Sequence, residues 1–216
     1  MSGVDTRIRT LLDQVAFVLC YPAEAFSSRR ATAKALADHA AELLDGSAAG
    51  AELAAAAAAL ADDLDMRGAE WAAERYTVIF DMSPVCTLAV GFHVFGETYA
   101  RGEFLAGITG ELRGHGVSAG NEIADHLPVL LQLLGRMADA EDRQLLLSVI
   151  LMPGLAKMLQ ELESASDPWS GVLRTLPAVL TEAFPDEVSL PDDLIATHDP
   201  CIPAGEFLGK EAATHA

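Results

Sequence analysis

Apolar residues recur at intervals of three and four along most of the chain, which is the spacing that amphipathic helices produce. The clearest stripe opens the sequence, where Ile8, Leu11, Val15 and Leu19 share one face and Tyr21-Pro22 closes the helix. The same pattern predicts further helices over about 30–44, 51–64, 69–81, 97–112, 121–137, 145–162 and 168–184. No run alternates between apolar and polar residues with a period of two, so the sequence predicts an all-α fold.

Glycine and proline interrupt the helical pattern at two places. Gly68 separates the third helix from the fourth, and Pro153-Gly154 lies inside the 145–162 stripe. A proline inside a continuous helix costs roughly 3 kcal/mol, so we expect a kink there or two short helices.

Two helix beginnings carry capping signals. Asn121 or Asp125 is expected to cap the helix that has Pro128 in its first turn, and Asp167 is expected to cap the last helix ahead of Pro168. Prolines are tolerated there because the first amides of a helix have no internal partner.

The stretch 82–96 carries no Asp, Glu, Lys or Arg and includes Pro84, Gly91 and Gly96. It is too short to span a bilayer, which takes about 20 apolar residues. Its Val and Thr residues are compatible with a strand, but a buried loop or short helix is the favoured interpretation.

Nothing in the composition divides the 216 residues into two globular halves. We therefore predict one domain, an all-helical unit over 1–184. Beyond it, 185–216 combines prolines with acidic residues and is predicted to be an extended or disordered tail.

The chain is strongly acidic, with 32 Asp and Glu against 14 Lys and Arg and a formal charge of −18. Such a surface repels phosphate backbones and anionic lipids, so nucleic acid and membrane surfaces are poor partners. A basic segment of another protein is attracted instead, although the charge also has a simpler explanation, namely solubility.

Cys20, Cys86 and Cys201 are widely spaced and odd in number, which is unlike a disulfide framework and favours a reducing compartment. Charged and polar residues, Asp13 and Gln14, interrupt the first apolar run, so it is interpreted as a helix and not as a signal peptide.

Motifs for metal, phosphate or nucleophile chemistry are missing from the sequence. There is no C-x-x-C, H-x-x-x-H, phosphate-binding glycine loop or G-x-S-x-G elbow. His93 with Cys86 comes closest to a metal pair, but a packed cysteine and a hydrogen-bonded histidine are favoured there. Asp125 and His126 are adjacent and would not face each other on a helix. We expect neither catalysis nor a bound metal.

Four short segments follow one another in order: Y-T-V-I-F-D at 76–81, H-V-F-G at 93–96, R-G-E-F-L-A at 101–106 and N-E-I-A-D-H-L-P at 121–128. Together with the opening helix, they resemble the NarJ/TorD-like chaperones of molybdenum oxidoreductases, within them the nitrate reductase delta subunit branch. The resemblance covers about 11–162. The sequence departs from it at Ala124, where family members commonly have proline, and in its acidic tail.

The resemblance implies an all-helical, cytoplasmic helper protein, monomeric or weakly dimeric, that binds the N-terminal segment of a catalytic subunit. It would hold this client until the molybdenum bis(molybdopterin guanine dinucleotide) cofactor, and an iron–sulfur cluster, are inserted. That cofactor belongs to the client and not to the chaperone. Basic, twin-arginine-like client segments would suit the acidic surface. Nitrate, selenate, chlorate and hydrocarbon-oxidising enzymes all stay open as clients.

Peptide recognition of this kind needs an apolar floor and polar rims. Candidate floor residues are Tyr76, Phe80, Phe92 and Phe95, and candidate rim residues are Asp81, Glu97, Glu122 and Asp125. Arg101 is expected to pair with a rim carboxylate or to contact the client. Among the polar residues, His126 is the strongest candidate for a role in function. The alternatives are core packing for the aromatics and helix capping, worth about 1 kcal/mol each, for Asp81 and Asp125.

Two other kinds of protein stay open. One is a self-associating helical module, favoured by the alanine-rich third helix. The other is a metal-dependent helical enzyme that would use His93, His126 and scattered carboxylates.

Overall fold

Helices dominate the computed structural model, which describes residues 4–22, 25–82, 85–163 and 167–189. Within these four ranges there is no β-strand, and the all-α prediction is confirmed. The α-helices in chain order are α1 (Thr6–Val18), α2 (Phe26–Leu43), α3 (Ala48–Phe80), α4 (Val90–Phe95), α5 (Tyr99–Gly114), α6 (Leu127–Leu134), α7 (Ala140–Leu145), α8 (Met152–Glu161) and α9 (Pro168–Ala183).

Helix α3 makes the largest share of the helix–helix packing. Helix α3 packs against α2 and α9, while α1 packs against α2 and α6. Seven of the eight residues of α6 are buried, which is what an all-round apolar helix requires. Each large apolar side chain buried in this way stabilises the fold by about 1.5–3 kcal/mol.

Helix α3 is one 33-residue element bent at Gly68, where φ is 82°. This left-handed backbone is inexpensive only for glycine. The predicted break at Gly68 is therefore confirmed, as a bend between two helical arms.

Side chains cap four of the described helices: Asp5 caps α1, Ser47 caps α3, Asp139 caps α7 and Asp167 caps α9. Asp5 accepts the amide of Arg7 at 2.8 Å at the start of α1. Asp167 accepts the amide of Ser170 at 2.9 Å with Pro168 in the first turn of α9, so that predicted cap is confirmed.

The cap predicted for the 121–137 helix is wrong. Helix α6 covers only Leu127–Leu134, and His126 occupies its N-cap position without a side-chain hydrogen bond. Asp125 cannot cap because its carboxylate accepts a hydrogen bond from Arg101 instead, at 2.9 Å. Residues 120–125 form turns and bends.

The interruption expected at Pro153 is accommodated by a wider turn. Residues Leu146–Leu151 form a π-helical segment between α7 and α8, and Pro153 lies in the first turn of α8. Leu145, Leu151 and Met152 keep right-handed helical dihedrals, so Pro153 lies in a continuous helical run that a π-helical segment widens just before it.

Only 185–189 of the predicted tail lies within the described residues, and it forms a turn and bends. Glu187 pairs there with Arg143 of α7 at 2.6 Å. The prediction of an extended tail from 190 onward falls outside the described residues. In the described part of the chain, no helix has the length and apolar character needed to cross a bilayer.

Candidate functional site

Backbone pairing joins two of the segments that the sequence singles out. The amide of Val90 donates to the carbonyl of Asp125 at 2.9 Å, and the amide of Leu127 donates to the carbonyl of Leu88 at 2.8 Å. Ala89 and His126 thus form a single antiparallel bridge. The uncharged 85–95 stretch is therefore fixed beside the start of α6.

A cleft of about 410 Å³ opens where this pair meets the end of α3. We name it the Tyr76 cleft. It is lined by Tyr21, Tyr76, Phe80, Asp81, Thr87, Leu88, Ala89, Glu122, Ile123 and His126. Five of the ten predicted site residues meet here: Tyr76, Phe80, Asp81, Glu122 and His126.

The floor of the Tyr76 cleft is aromatic. Tyr76 packs against Phe80 at 4.9 Å between ring centroids, against Trp169 at 5.8 Å and edge-on against Tyr21 at 5.6 Å. Its hydroxyl donates to the carbonyl of Leu19 at 2.8 Å, and burial raises the pKa of Tyr76. Tyr76 therefore lies in the floor of the cleft and is packed in the core as well.

The rim of the Tyr76 cleft carries two exposed carboxylates, Asp81 and Glu122. Exposed apolar side chains stand beside them: Ile123 is 49% and Tyr21 37% accessible. Met82, the next residue after Asp81, is 74% accessible. This combination presents both negative charge and apolar surface to solvent.

His126 is the buried polar group of the cleft wall, with 8% of its surface accessible. Its Nδ1 is buried and has no hydrogen-bond partner among the described atoms. Burial lowers the pKa of His126, opposed by the charges of Glu122 and Asp125, so the ring is neutral at pH 7. A neutral imidazole can donate from one nitrogen and accept at the other.

The rim position predicted for Asp125 is wrong, because this residue is completely buried. Its Oδ2 accepts from Arg101 Nε at 2.9 Å, and its Oδ1 is buried without a partner among the described atoms. The Arg101 guanidinium also lies over the ring of Phe92 at 5.7 Å. The pair joins α5 to the turn before α6, so Asp125 positions its neighbour His126.

Gly91 makes room for this ion pair. A Cβ built on Gly91 would lie 2.6 Å from Asp125 Oδ2 and 3.1 Å from the ring of Phe104. Any larger residue would displace the carboxylate or the ring. Gly91 is thus needed for the close approach of the 85–95 segment to Asp125.

The other predicted site residues lie apart from the Tyr76 cleft. Phe95 is half-buried and packs against Phe104 at 5.4 Å, and Glu97 is exposed. Phe92 lines a different cleft of about 520 Å³, which we name the Phe92 cleft. Its lining is Phe92, His93, Lys157, Gln160 and Glu161.

His93 and His126 therefore line different clefts. The alternative of a metal-dependent enzyme requires both histidines at one site, and the structure does not bring them together. In the Phe92 cleft, His93 Nδ1 lies 3.5 Å from Glu161 Oε1. The other ring nitrogen, His93 Nε2, lies 3.9 Å from Sγ of Cys86, which does not line the cleft. Burial raises the pKa of the Cys86 thiol, and Glu161 raises it further.

Sequence reasoning missed five lining residues: Tyr21, Thr87, Leu88, Ala89 and Ile123. Tyr21 had a signal only as a helix end, and Ile123 only as an apolar residue inside the N-E-I-A-D-H segment. Ile123 and Glu122 also border a neighbouring cleft of about 430 Å³ along α5. The 120–124 turn thus forms a ridge between two clefts.

The sequence model of the family described as Nitrate reductase delta subunit matches residues 47–173, more than half of this chain. The match runs from the residue before α3 into α9 and includes the lining residues of the Tyr76 cleft other than Tyr21. No curated protein sequence matches the chain.

Proposed function

Since the chain belongs to the nitrate reductase delta subunit family, we propose that it is a cytoplasmic maturation chaperone for the catalytic subunit of a nitrate reductase-like molybdenum enzyme. It binds the N-terminal segment of that subunit and holds it while the molybdenum cofactor is inserted. The cofactor is bound by the client, and the chaperone contributes recognition without catalysing a reaction.

The observation that carries this proposal is the Tyr76 cleft. An aromatic floor, a neutral histidine and two exposed carboxylates meet in about 410 Å³, a volume within the range of ligand pockets. The cleft holds a few side chains of a peptide while the rest of the peptide lies along the surface. Ile123, Tyr21 and Met82 extend the apolar surface outside it.

Charge narrows the class of peptide. The rim carboxylates Asp81 and Glu122 lie on a chain of net charge −18, which attracts a cationic segment and speeds its association. The apolar floor favours an aliphatic or aromatic anchor next to that charge. The segment recognised therefore combines a Lys or Arg with an apolar side chain.

Affinity capture with the tagged chain at low salt, from the host in which it occurs, tests the client. We expect a cofactor-free molybdenum-enzyme catalytic subunit among the captured proteins. Recovery of only the chain itself, with self-association in solution, contradicts the proposal and favours the self-associating module.

A charge-variant experiment tests the cleft. The double variant Asp81→Asn with Glu122→Gln should bind a synthetic peptide of the client N-terminus about three- to tenfold more weakly at low salt, with a difference that shrinks as salt is added. The matched control is Glu52→Gln with Glu163→Gln, two exposed acids outside the Tyr76 cleft. Equal weakening in both variants would assign the effect to net charge and not to the rim.

The alanine-rich part of α3 is occupied within the chain. A Cβ on Gly50 would lie 2.9 Å from the carbonyl oxygen of Ala40 and the Cα of Ala41 in α2. Ala57 and Ala61 are also buried. The close helix approach is therefore used inside one protomer on this face, while Ala51, Ala55 and Ala59 on another face of α3 are exposed.

A further inference from the structure

A second set of chemically active side chains lies where the 85–95 segment meets α8. Cys86, His93 and Glu161 each offer one ligand atom, and these atoms lie within 4.8 Å of one another. Theirs is the one group of this kind among the residues that the structure describes. The sequence indicates only the Cys86–His93 pair, because Glu161 is 68 positions beyond His93.

The hydrogen bonds of His93 determine which ring nitrogen is free. Its Nε2 lies 2.8 Å from the carbonyl oxygen of Thr87, and a carbonyl only accepts, so Nε2 carries a proton. In the neutral ring, Nδ1 then presents a lone pair toward Glu161 Oε1, 3.5 Å away. Two acceptors facing each other need a cation or a proton between them.

We propose that Cys86, His93 and Glu161 bind a thiophilic divalent cation of the Zn²⁺ class, with water from the Phe92 cleft as the fourth ligand. Thiolate, imidazole and carboxylate are the ligand types that Zn²⁺ selects, and an open fourth position fits the three-residue set. The Thr87 carbonyl, which holds Nε2–H, is the outer-shell acceptor that orients a ligating histidine.

The distances fit the carboxylate–imidazole pair best. Ligand atoms of a tetrahedral zinc site lie about 3.5 Å apart, and His93 Nδ1 lies 3.5 Å from Glu161 Oε1. Cys86 Sγ lies 3.9 Å from the other ring nitrogen, Nε2, so the Cys86 side chain has to turn toward Nδ1 to complete the site. Cys86 and His93 are buried, while the Glu161 side chain is 44% accessible. Glu161 can therefore rotate toward the two buried side chains.

The charges also balance. Zn²⁺ binds the Cys86 thiolate, and the thiol proton is released to solvent. Thiolate and carboxylate then neutralise the two positive charges of the cation. The neutral net charge of the site is needed because the positively charged Lys157 ammonium borders the same cleft, where it donates to the carbonyl of His93 at 2.7 Å.

Cation binding would tie the 85–95 segment to α8. The same segment pairs with 125–127 and lines the Tyr76 cleft. Zn²⁺ bound in the Phe92 cleft therefore restrains one wall of the Tyr76 cleft from behind.

The test compares two full-length variants that each keep a single thiol of interest. Cys20→Ser with Cys201→Ser retains Cys86, and Cys86→Ser with Cys201→Ser retains Cys20. Each is titrated with Zn²⁺ by calorimetry and with Co²⁺ by absorption, because a thiolate ligand gives Co²⁺ a near-ultraviolet charge-transfer band. We expect the Cys86 protein to bind one equivalent with a Kd of about 1 µM or lower, and to show that band.

Loss of Cys86 should weaken binding at least about tenfold and remove the band. Glu161→Gln should also weaken Zn²⁺ binding, whereas Glu163→Gln, an equal charge change two residues away at an exposed position, should not. Circular dichroism verifies that each variant is folded, and the exposed Glu161 gives a ligand variant that leaves the core intact. Less than one equivalent, equal affinity in the two cysteine variants, or binding without the thiolate band would overturn the proposal.

Discussion

The Tyr76 cleft and the Phe92 cleft lie on two sides of the same 85–95 segment, yet their walls differ in chemistry. The Tyr76 cleft combines tilted and edge-on aromatic rings with exposed carboxylates. The Phe92 cleft combines an imidazole and a lysine amine with a movable carboxylate, and the buried Cys86 thiol lies next to the imidazole without lining the cleft. The first suits a polypeptide, which is recognised by shape and charge, and the second suits an ion, which is recognised by ligand atoms. One short segment thus supplies a wall to two kinds of recognition.

The strongest test of this division removes the ion pair behind both clefts. Arg101→Met leaves the fully buried Asp125 carboxylate unpaired and should lower the free energy of unfolding by about 3 kcal/mol. Because Arg101 also covers Phe92, peptide and Zn²⁺ binding should both weaken. Urea denaturation measures the loss, with Arg113→Met, an exposed arginine on the same helix, as the control. If Arg101→Met is no less stable than that control, the pair does not hold the two segments together.

Tyr76→Phe is expected to have a smaller effect on stability, and one that does not reach the Phe92 cleft. This substitution removes the hydroxyl that donates to Leu19 and should cost about 1 kcal/mol of stability, since a buried carbonyl loses its partner. The aromatic floor is retained, so peptide affinity should change little and Zn²⁺ affinity not at all. Thermal and urea unfolding are compared with Tyr99→Phe, whose ring is exposed. A loss of Zn²⁺ binding would show that the clefts are not separate.

The smallest expected effect is a pH slope. Burial lowers the pKa of His126 below its ordinary value of 6.5, so the unfolded chain takes up a proton more readily than the folded one. The stabilising contribution is complete above pH 6.5 and is lost as the pH falls toward the lowered value, by at most about 1.4 kcal/mol per pH unit.

His126→Asn should flatten this part of the stability–pH curve, measured by urea unfolding between pH 7.5 and pH 5. The same variant should clearly weaken peptide binding at pH 7 while its melting temperature stays close to that of the unaltered protein. His39→Asn, at an exposed histidine on α2, is the control and should leave the slope unchanged. An unaltered slope in His126→Asn would assign it to another group.

Local patterns were sufficient for most of the fold. The spacing of apolar residues located α1 and α9, and Gly68 and Asp167 marked the bend and the cap correctly because these signals act within a few residues. The misplaced cap of α6 has the opposite cause. Asp125 accepts a hydrogen bond from Arg101, which lies 24 positions earlier in the chain. No local sequence rule reveals that this long-range partner takes the carboxylate away from the helix cap.

The candidate site was predictable only as a set of parts. Tyr76 and Phe80 are one helical turn apart and could be grouped from the sequence, and the Y-x-x-x-F-D segment also carries Asp81. Which segments face each other depends on the bridge between Ala89 and His126, a pairing of two irregular stretches without a periodic signal. For that reason the sequence places Phe92 and Phe95 with the floor, whereas in the structure Phe92 lines the Phe92 cleft and Phe95 packs against Phe104.

The bend in α3 makes the bundle adjustable at one residue. A straight helix of 33 residues would be about 50 Å long, longer than a folded chain of this size comfortably encloses. At Gly68 the helix changes direction instead, eight residues before Tyr76, and a Cβ there would meet no other atom within 4 Å. The joint is therefore set by backbone geometry and not by packing. A single substitution at Gly68 would therefore change the angle between the two arms of α3, and with it the position of Tyr76 and Phe80, without altering any residue that lines the Tyr76 cleft.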